Sequence, residues 1–328
     1  MTKISLELGS GGRLMREFIS GRIVAAFRDP LLRELGDAAL LPGGVAFTTD
    51  SYVVDPLFFP GGDIGRLAVN GTVNDLVVSG ARPRFLSLAF ILEEGLDEAV
   101  LDRVIRSIRQ AAGKAGVRIV TGDTKVVRRG QGDKVYINTA GVGASIARPR
   151  PEKIRRGDKI ILTGTLGDHS LAVMLARGDF GLRSNVRSDC APLLFLLPLW
   201  KRGALWMRDV TRGGLATVLF ELAERLSHPV LIEEDRIPLS RPVRAASELL
   251  GIDPLYMACE GKAVIVAPGD KAEAFLRAAR RDPLGRRAAI IGEVQGKVGR
   301  PGELLLRTTA GGLRLLEPLT SELLPRIC

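Results

Sequence analysis

Cysteine and histidine are scarce in these 328 residues, three of one and two of the other, which leaves little material for disulfides or metal sites. Cys190, Cys259 and Cys328 are spaced too widely for a disulfide framework or a zinc pattern. His169, in Gly167-Asp168-His169-Ser170, and His228, before Pro229, have no metal-ligand partner at useful spacing, and both read as structural. Aromatics make up only 5%, too few for the stacking surfaces that hold single-stranded nucleic acid. No uninterrupted apolar run approaches the roughly 20 residues that span a bilayer. The N-terminal Met1-Thr2-Lys3-Ile4-Ser5-Leu6-Glu7 has no basic-then-apolar signal pattern. These absences point to the reducing cytoplasm, with neither membrane nor nucleic acid as a partner.

What is present describes a globular protein. Hydrophobic residues are 46% and charged residues 26%, enough to bury a core in each of two domains at this length. The net charge of +10 comes from scattered doublets, such as Arg128-Arg129 and Arg280-Arg281, with acidic residues interspersed throughout. Solvated faces and attraction for a small polyanion such as a nucleotide account for that excess.

Gly9-Ser10-Gly11-Gly12 precedes an amphipathic stretch from Arg13 to Ile19, a helix start suited to an anion or else a flexible linker. Residues 45–54, rich in β-branched side chains, predict a strand; 63–79 a helix, 84–92 a strand, 96–115 a helix, and 117–121 and 135–143 two further strands. This order predicts an α+β layer with helices on one sheet face, the other face needing a partner such as a second copy. The composition shifts at Arg148-Pro149-Arg150-Pro151. Strands at 159–163, 230–233, 263–267, 288–294 and 304–307, with helices at 167–177, 191–202, 242–250 and 271–280 and another opening after Thr211-Arg212-Gly213-Gly214, predict a second α+β unit. The domains are therefore set at 1–148 and 149–310, and residues 311–328 are read as a mobile tail.

Acidic residues in the first half stand at element ends: Asp50 where a strand runs out, Asp75 after Asn74, and Asp123 two residues from Lys125. Magnesium bound to a triphosphate takes one or two carboxylates, so these residues suit a metal-phosphate cradle; they equally suit turn and cap positions. Arg208-Asp209-Val210-Thr211-Arg212-Gly213-Gly214 combines charge with a glycine turn at a helix start. Glu260 is a candidate general base, or a turn carboxylate paired with Lys262. Cys328, the last residue, could carry cargo on a swinging thiol, or be an incidental cysteine on a frayed end.

These strings resemble, in order and over the whole chain, the HypE family of hydrogenase maturation proteins. The resemblance rests on Gly9-Ser10-Gly11-Gly12, the run from Thr48 to Gly62, Thr121 to Val127, and Ile137-Asn138-Thr139-Ala140-Gly141. It rests also on Gly164 to His169, Arg208-Asp209 with Thr211 to Gly214, and most specifically the terminal Pro325-Arg326-Ile327-Cys328. The family usually has a histidine where this chain has Leu8. The resemblance implies a two-domain α+β fold like aminoimidazole ribonucleotide synthetase, with N-terminal sheets pairing across a homodimer. It implies ATP and Mg2+, the nucleotide at Gly9, Ser10, Gly11, Gly12, Asn74, Asn138, Asp209 and Arg212 and the metal at Asp50, Asp75 and Asp123. Lys125, Glu260 and Cys328 are the implied catalytic residues. The implied reaction is ATP-dependent dehydration of a thiocarboxamide on Cys328 to a thiocyanate. The carbamoyltransferase HypF loads the thiol, and the HypC–HypD complex receives cyanide on the iron destined for nickel–iron hydrogenase. Two alternatives are a related synthetase such as selenophosphate synthetase, whose early reactive cysteine is missing here, and a non-catalytic nucleotide-binding scaffold.

Overall fold

The computed structural model describes residues 3–9, 11–178, 180–296 and 298–319. Helix α1 (Arg13–Phe18) follows the glycine cluster and continues through a π-helical turn (Ile19–Val24) to Phe27, beyond the end at Ile19 that the pattern predicts. The first domain then runs β1 (Ala39–Leu41), β2 (Val45–Tyr52), α2 (Ile64–Val78), β3 (Ala81–Glu93), α3 (Glu98–Ala115), β4 (Arg118–Val127) and β5 (Val135–Ser145). Asp63 and Asp97 cap α2 and α3 by accepting hydrogen bonds from Arg66 N and Ala99 N. The sheet order is β1-β2-β5-β3-β4. Only β3 and β4, joined by the crossover helix α3, pair in parallel.

Alternation along β2 sends Ala46, Thr48 and Tyr52 into the core, where α2 packs, and leaves Val45 and Phe47 outside. Phe47, Val142 and Phe85 lie side by side in register on that outer face. Each is more than a third exposed. Among the described residues one sheet face is thus uncovered, as the element order predicts.

The second domain holds β6 (Lys159–Leu162), α4 (Asp168–Arg177), β7 (Trp206–Asp209), α5 (Gly214–Ala223), β8 (Val230–Glu233), α6 (Arg241–Leu250), β9 (Ala263–Ala267), α7 (Ala272–Ala279), β10 (Ala289–Val294), β11 (Leu304–Arg307) and β12 (Leu313–Leu315). They form one sheet in the order β12-β11-β8-β10-β6-β9-β7, parallel only at β8–β11. Three features differ from the sequence reading. In place of a helix over 191–202 there are a 3-10 turn at Leu194–Leu196 and a short helix at Leu197–Lys201, because Pro192 and Pro198 cannot supply helical N–H groups. Strand β7 is an addition: half of Trp206-Met207-Arg208-Asp209 is charged, and it lacks the apolar run that marks the equally short β8 and β11. Strand β12 lies within the segment assigned to the tail and is exposed throughout, so no alternation marks it.

Helix α2 is shared by both halves, and 13 of its 15 residues are buried. Its polar residues tie the domains together. Asn74 Nδ2 donates to Ala191 O (3.1 Å) and Asn74 Oδ1 accepts from Leu193 N (2.8 Å). Trp200 Nε1 donates to Val77 O (2.8 Å). Among the described residues, no helix is long and apolar enough to cross a membrane.

Candidate active site

Arg66 and Asp75 are the two residues of α2 that escape burial, and Asp75 opens into a cavity of about 500 Å3 at the domain junction. Strand β2 contributes Asp50 and Tyr52 to its wall, the end of β7 contributes Arg208 and Asp209, and Glu260 closes one side. Met15 and Ile19 of the N-terminal helix, with Leu32 and Leu35, give it an apolar roof. Gly11 and Gly12 stand at the rim. Gly11 has φ +81°, and a Cβ there would lie 2.7 Å from Arg212 Cβ, so the turn can approach Arg212 only as glycine.

Three carboxylates from three elements converge inside. Asp37, in the segment before β1, joins Asp75 and Asp209, with one oxygen of each lying within 4.8 Å of the others. Burial first, and then the neighbouring carboxylates, push Asp75 and Asp209 well above the ordinary carboxylate range. Burial also raises Asp37, against the opposing pull of Arg208, and raises Asp50, against a hydrogen bond from Tyr52 Oη to Asp50 Oδ2 (2.7 Å). Thr48 Oγ1 lies between Asp37 O (2.7 Å) and Asp75 Oδ2 (2.9 Å). Its single proton can serve only one of these acceptors, which fits an Asp75 that holds a proton of its own when no cation is near. Clustered, buried carboxylates of this kind fit a hard divalent cation, whose charge relieves both the repulsion and the burial cost.

Arg208 binds two carboxylates, Asp37 through Nε (3.0 Å to Oδ1) and Glu221 through Nη1 (2.9 Å to Oε2). Burial, the largest single influence, lowers its pKa, but the surrounding carboxylates Asp37, Glu221, Asp209 and Asp75 together outweigh it and the net shift is upward. Glu260 is 5% exposed; its backbone N–H donates to Asp189 Oδ1 (3.0 Å), and its carbonyl accepts from Ala191 N (3.3 Å) and Asn74 Nδ2 (3.4 Å). Lys262 pairs with Asp189 (3.4 Å).

The structure brings Asp50, Asp75, Asp209, Arg212, Glu260, Gly11 and Gly12 to this one cavity. Asn74 stands behind the wall and fixes the backbone at Glu260. Asn138 is exposed on β5, donating to Asp50 O and Ser51 Oγ (2.9 Å each). Gly9 is not among the cavity's lining residues; its carbonyl accepts from Arg212 Nη1 at 3.5 Å. Asp123 and Lys125 are not among the cavity's lining residues. Both are exposed on β4 and pair with each other (3.2 Å), and the Lys125 hydrogen bond holds the Asp123 carboxyl below its usual range. Ser10 and Cys328 lie outside the described residues.

Asp37, Glu221 and Tyr52 are site residues that the sequence reading does not single out, and Arg208 stands in its charged string without a role of its own. The one available signal for Asp37 is an aspartate after Gly36 and before the apolar Ala38-Ala39-Leu40-Leu41.

The chain leads back to this cavity at its far end. Leu316 is buried, Glu317 O accepts from Tyr256 Oη (2.9 Å), and Leu319 O accepts from Arg13 N (3.0 Å). A Cβ on Gly12 would collide with that same Leu319 carbonyl. The last described residue is therefore seated on the glycine turn at the cavity rim.

Comparison with known proteins agrees with this architecture. Residues 35–145 match the AIR synthase related protein N-terminal domain, and residues 155–300 match the C-terminal domain of the same family. The chain is similar to the carbamoyl dehydratase HypE of Rhodobacter capsulatus, 45% identical over 338 residues, covering 99% of this chain and 98% of the relative. A solved structure of hydrogenase maturation protein HypE in complex with ATP superposes with TM-score 0.83 and 46% identity, covering 99% of this chain and all of that one. A HypE–HypF complex superposes with TM-score 0.87 and 40% identity, covering 92% of this chain and 99% of the matched one.

Proposed function

We propose, for a chain that belongs to the HypE family within the AIR synthase related proteins, that it is an ATP-using carbamoyl dehydratase of hydrogenase maturation. The observation that carries this reading is the meeting at one cavity of three elements: a glycine turn, a cluster of carboxylates, and the seated end of the described chain. Cys328 follows Leu319 by nine residues, and a chain of that length spans at most about 30 Å, enough to cross the cavity from its rim.

In this reading Cys328 carries a carbamoyl group as a thiocarboxamide. Amide oxygen is a poor leaving group, and its phosphorylation at the expense of ATP makes it a good one. The carbon–oxygen bond then breaks, the oxygen departs as phosphate, and the nitrogen gives up both protons to leave a thiocyanate. Glu260, buried and lining the cavity, is the proposed base for a proton of that nitrogen. The Gly11–Gly12 turn and Arg212, which line the cavity, would face the phosphates. Asp37, Asp75 and Asp209 would hold Mg2+, with Asp50 beside them. When bound, that ion neutralises phosphate charge, the main requirement in phosphoryl transfer. The apolar roof of Met15, Ile19, Leu32 and Leu35 suits a nucleobase.

Asp123 and Lys125 enter this reading as residues that a second copy would bring to the cavity, and the homodimer is part of the proposal. HypF is the proposed carbamoyl donor; a solved HypE–HypF complex supports its being a partner. The HypC–HypD complex is the proposed acceptor of cyanide. The cytoplasm, which keeps thiols reduced, is the compartment this chemistry needs.

Phosphate release tests the reading. The carbamoylated protein with Mg–ATP is expected to release one phosphate for each carbamoyl group. Asp75→Asn should slow that release by on the order of 100-fold without unfolding the chain. ATP bound tightly by the carbamoylated protein yet never hydrolysed would leave a nucleotide-binding scaffold instead.

A further inference from the structure

The carboxylates of the cavity come from different domains, and one residue connects them. Asp37 belongs to the first domain, on a segment that precedes β1; Asp209 ends β7 in the second. Arg208, adjacent to Asp209, reaches back to Asp37 Oδ1 at 3.0 Å. Its guanidinium is held from the other side by Glu221 of α5 at 2.9 Å. All three side chains are largely enclosed, with exposures of 20% for Arg208, 12% for Asp37 and 21% for Glu221. A pair so enclosed is little screened by solvent, and a planar fork gripped at two points fixes direction as well as charge. The hydrogen bond between Thr48 Oγ1 and Asp37 O holds the Asp37 backbone but leaves its side chain free to turn. The Arg208 contact sets that side chain.

We propose that Arg208, braced by Glu221, is a positioning residue of this site: it fixes Asp37 against Asp75 and Asp209 and so sets the affinity for the divalent cation. This rests on the reading of those carboxylates as the metal site. Arg208 is paired with Asp37 Oδ1, and a carboxylate has a second oxygen that can serve as a ligand. Two effects of the guanidinium oppose each other. Its positive charge, taken alone, disfavours a nearby cation; its grip on Asp37 favours one by pre-organising a ligand. In metal sites the partners that orient ligands are typically worth about 10- to 100-fold in affinity, so positioning is the effect expected to win here.

The test is Mn2+ binding to the full chain with a non-hydrolysable ATP analogue, followed by the electron paramagnetic resonance signal of free Mn2+. Arg208→Lys keeps the charge and loses the fork, and it is expected to bind Mn2+ about 10-fold or more weakly. Arg208→Gln should also bind more weakly, although it removes a positive charge from beside the carboxylates. Glu221→Gln keeps Arg208 and removes its brace, and should weaken binding several-fold. Thermal unfolding establishes that each variant is folded, and if the Arg208 variants do not fold, Glu221→Gln decides. Tighter Mn2+ binding by Arg208→Gln would show that the guanidinium acts only as a charge. Wild-type affinity in folded Arg208→Lys and Glu221→Gln would show a purely structural link. Either result overturns the inference while leaving the metal site intact. If the wild type binds Mn2+ no better than Asp75→Asn, the metal-site reading itself fails and takes this inference with it.

Discussion

Gly71 shows how tightly single residues of the site are specified. It lies on α2 directly under the ring of Tyr52, and an added Cβ would collide with Tyr52 Oη. That hydroxyl donates to Asp50, so moving it disturbs a cavity carboxylate as well as the core. Gly71→Ala is therefore expected to cost about 1–3 kcal/mol, a typical penalty for overpacking, measured by urea unfolding. It should also weaken ATP binding; unchanged stability would show that the ring has room to shift. At this scale much of the site is legible in the sequence. Asp50, Asp75, Asp209 and Glu260 stand in recognisable strings and meet in one cavity. Asp37 was not legible, because its place depends on Arg208, a residue far away in the chain that carries no local mark of the contact. Asp123 and Lys125 stand in a string as recognisable as the others, yet in this chain they face solvent. A sequence does not say whose cavity a residue serves.

Among the elements, α4 and the loop it meets carry a pH dependence. His169, on α4, is fully buried; its Nδ1 pairs with Ser188 Oγ (2.8 Å), its ring meets Phe59 edge-on, and Nε2 has no hydrogen-bond partner among the described residues. Burial lowers its pKa to about 3. The folded chain thus keeps the ring neutral at pH values where the unfolded chain, with a histidine pKa of about 6.5, takes up a proton. The stability owed to His169 is whole above about pH 6.5 and falls as pH drops towards 3, by about 2 kcal/mol between pH 6.5 and 5. His169→Gln cannot titrate and should show a shallower loss over that range; parallel curves for the two proteins would contradict the assignment. Elements were legible where a period could repeat, as in α3, whose Val104 and Ile108 face the core. Short pieces were legible only where an apolar run marks them, as in β8 and β11; β7, half of it charged, and β12, exposed throughout, have none.

For the whole molecule, the uncovered sheet face has the largest consequence. Phe47, Val142 and Phe85 form an exposed apolar row, and the edge strand β4 is exposed along nearly its full length. Exposed faces and long edges of this kind invite association, and we propose that a second copy covers them. Sedimentation is expected to give a dimer at micromolar concentration, and Phe47→Glu a folded monomer; a monomeric wild type would remove the proposal. The central claim, however, is that the chain works through its last residue. Cys190 and Cys259 are buried, and burial pushes both thiols well above their usual pKa, away from the reactive thiolate. Peptide mapping by mass spectrometry, after incubation with the carbamoyl donor and Mg–ATP, distinguishes the three thiols. The account requires that the peptide ending in Cys328 gain one carbamoyl group and, once ATP is consumed, lose one water from it, while Cys190 and Cys259 stay unmodified. A carbamoyl or cyano adduct on Cys190 or Cys259, with Cys328 untouched, would contradict it.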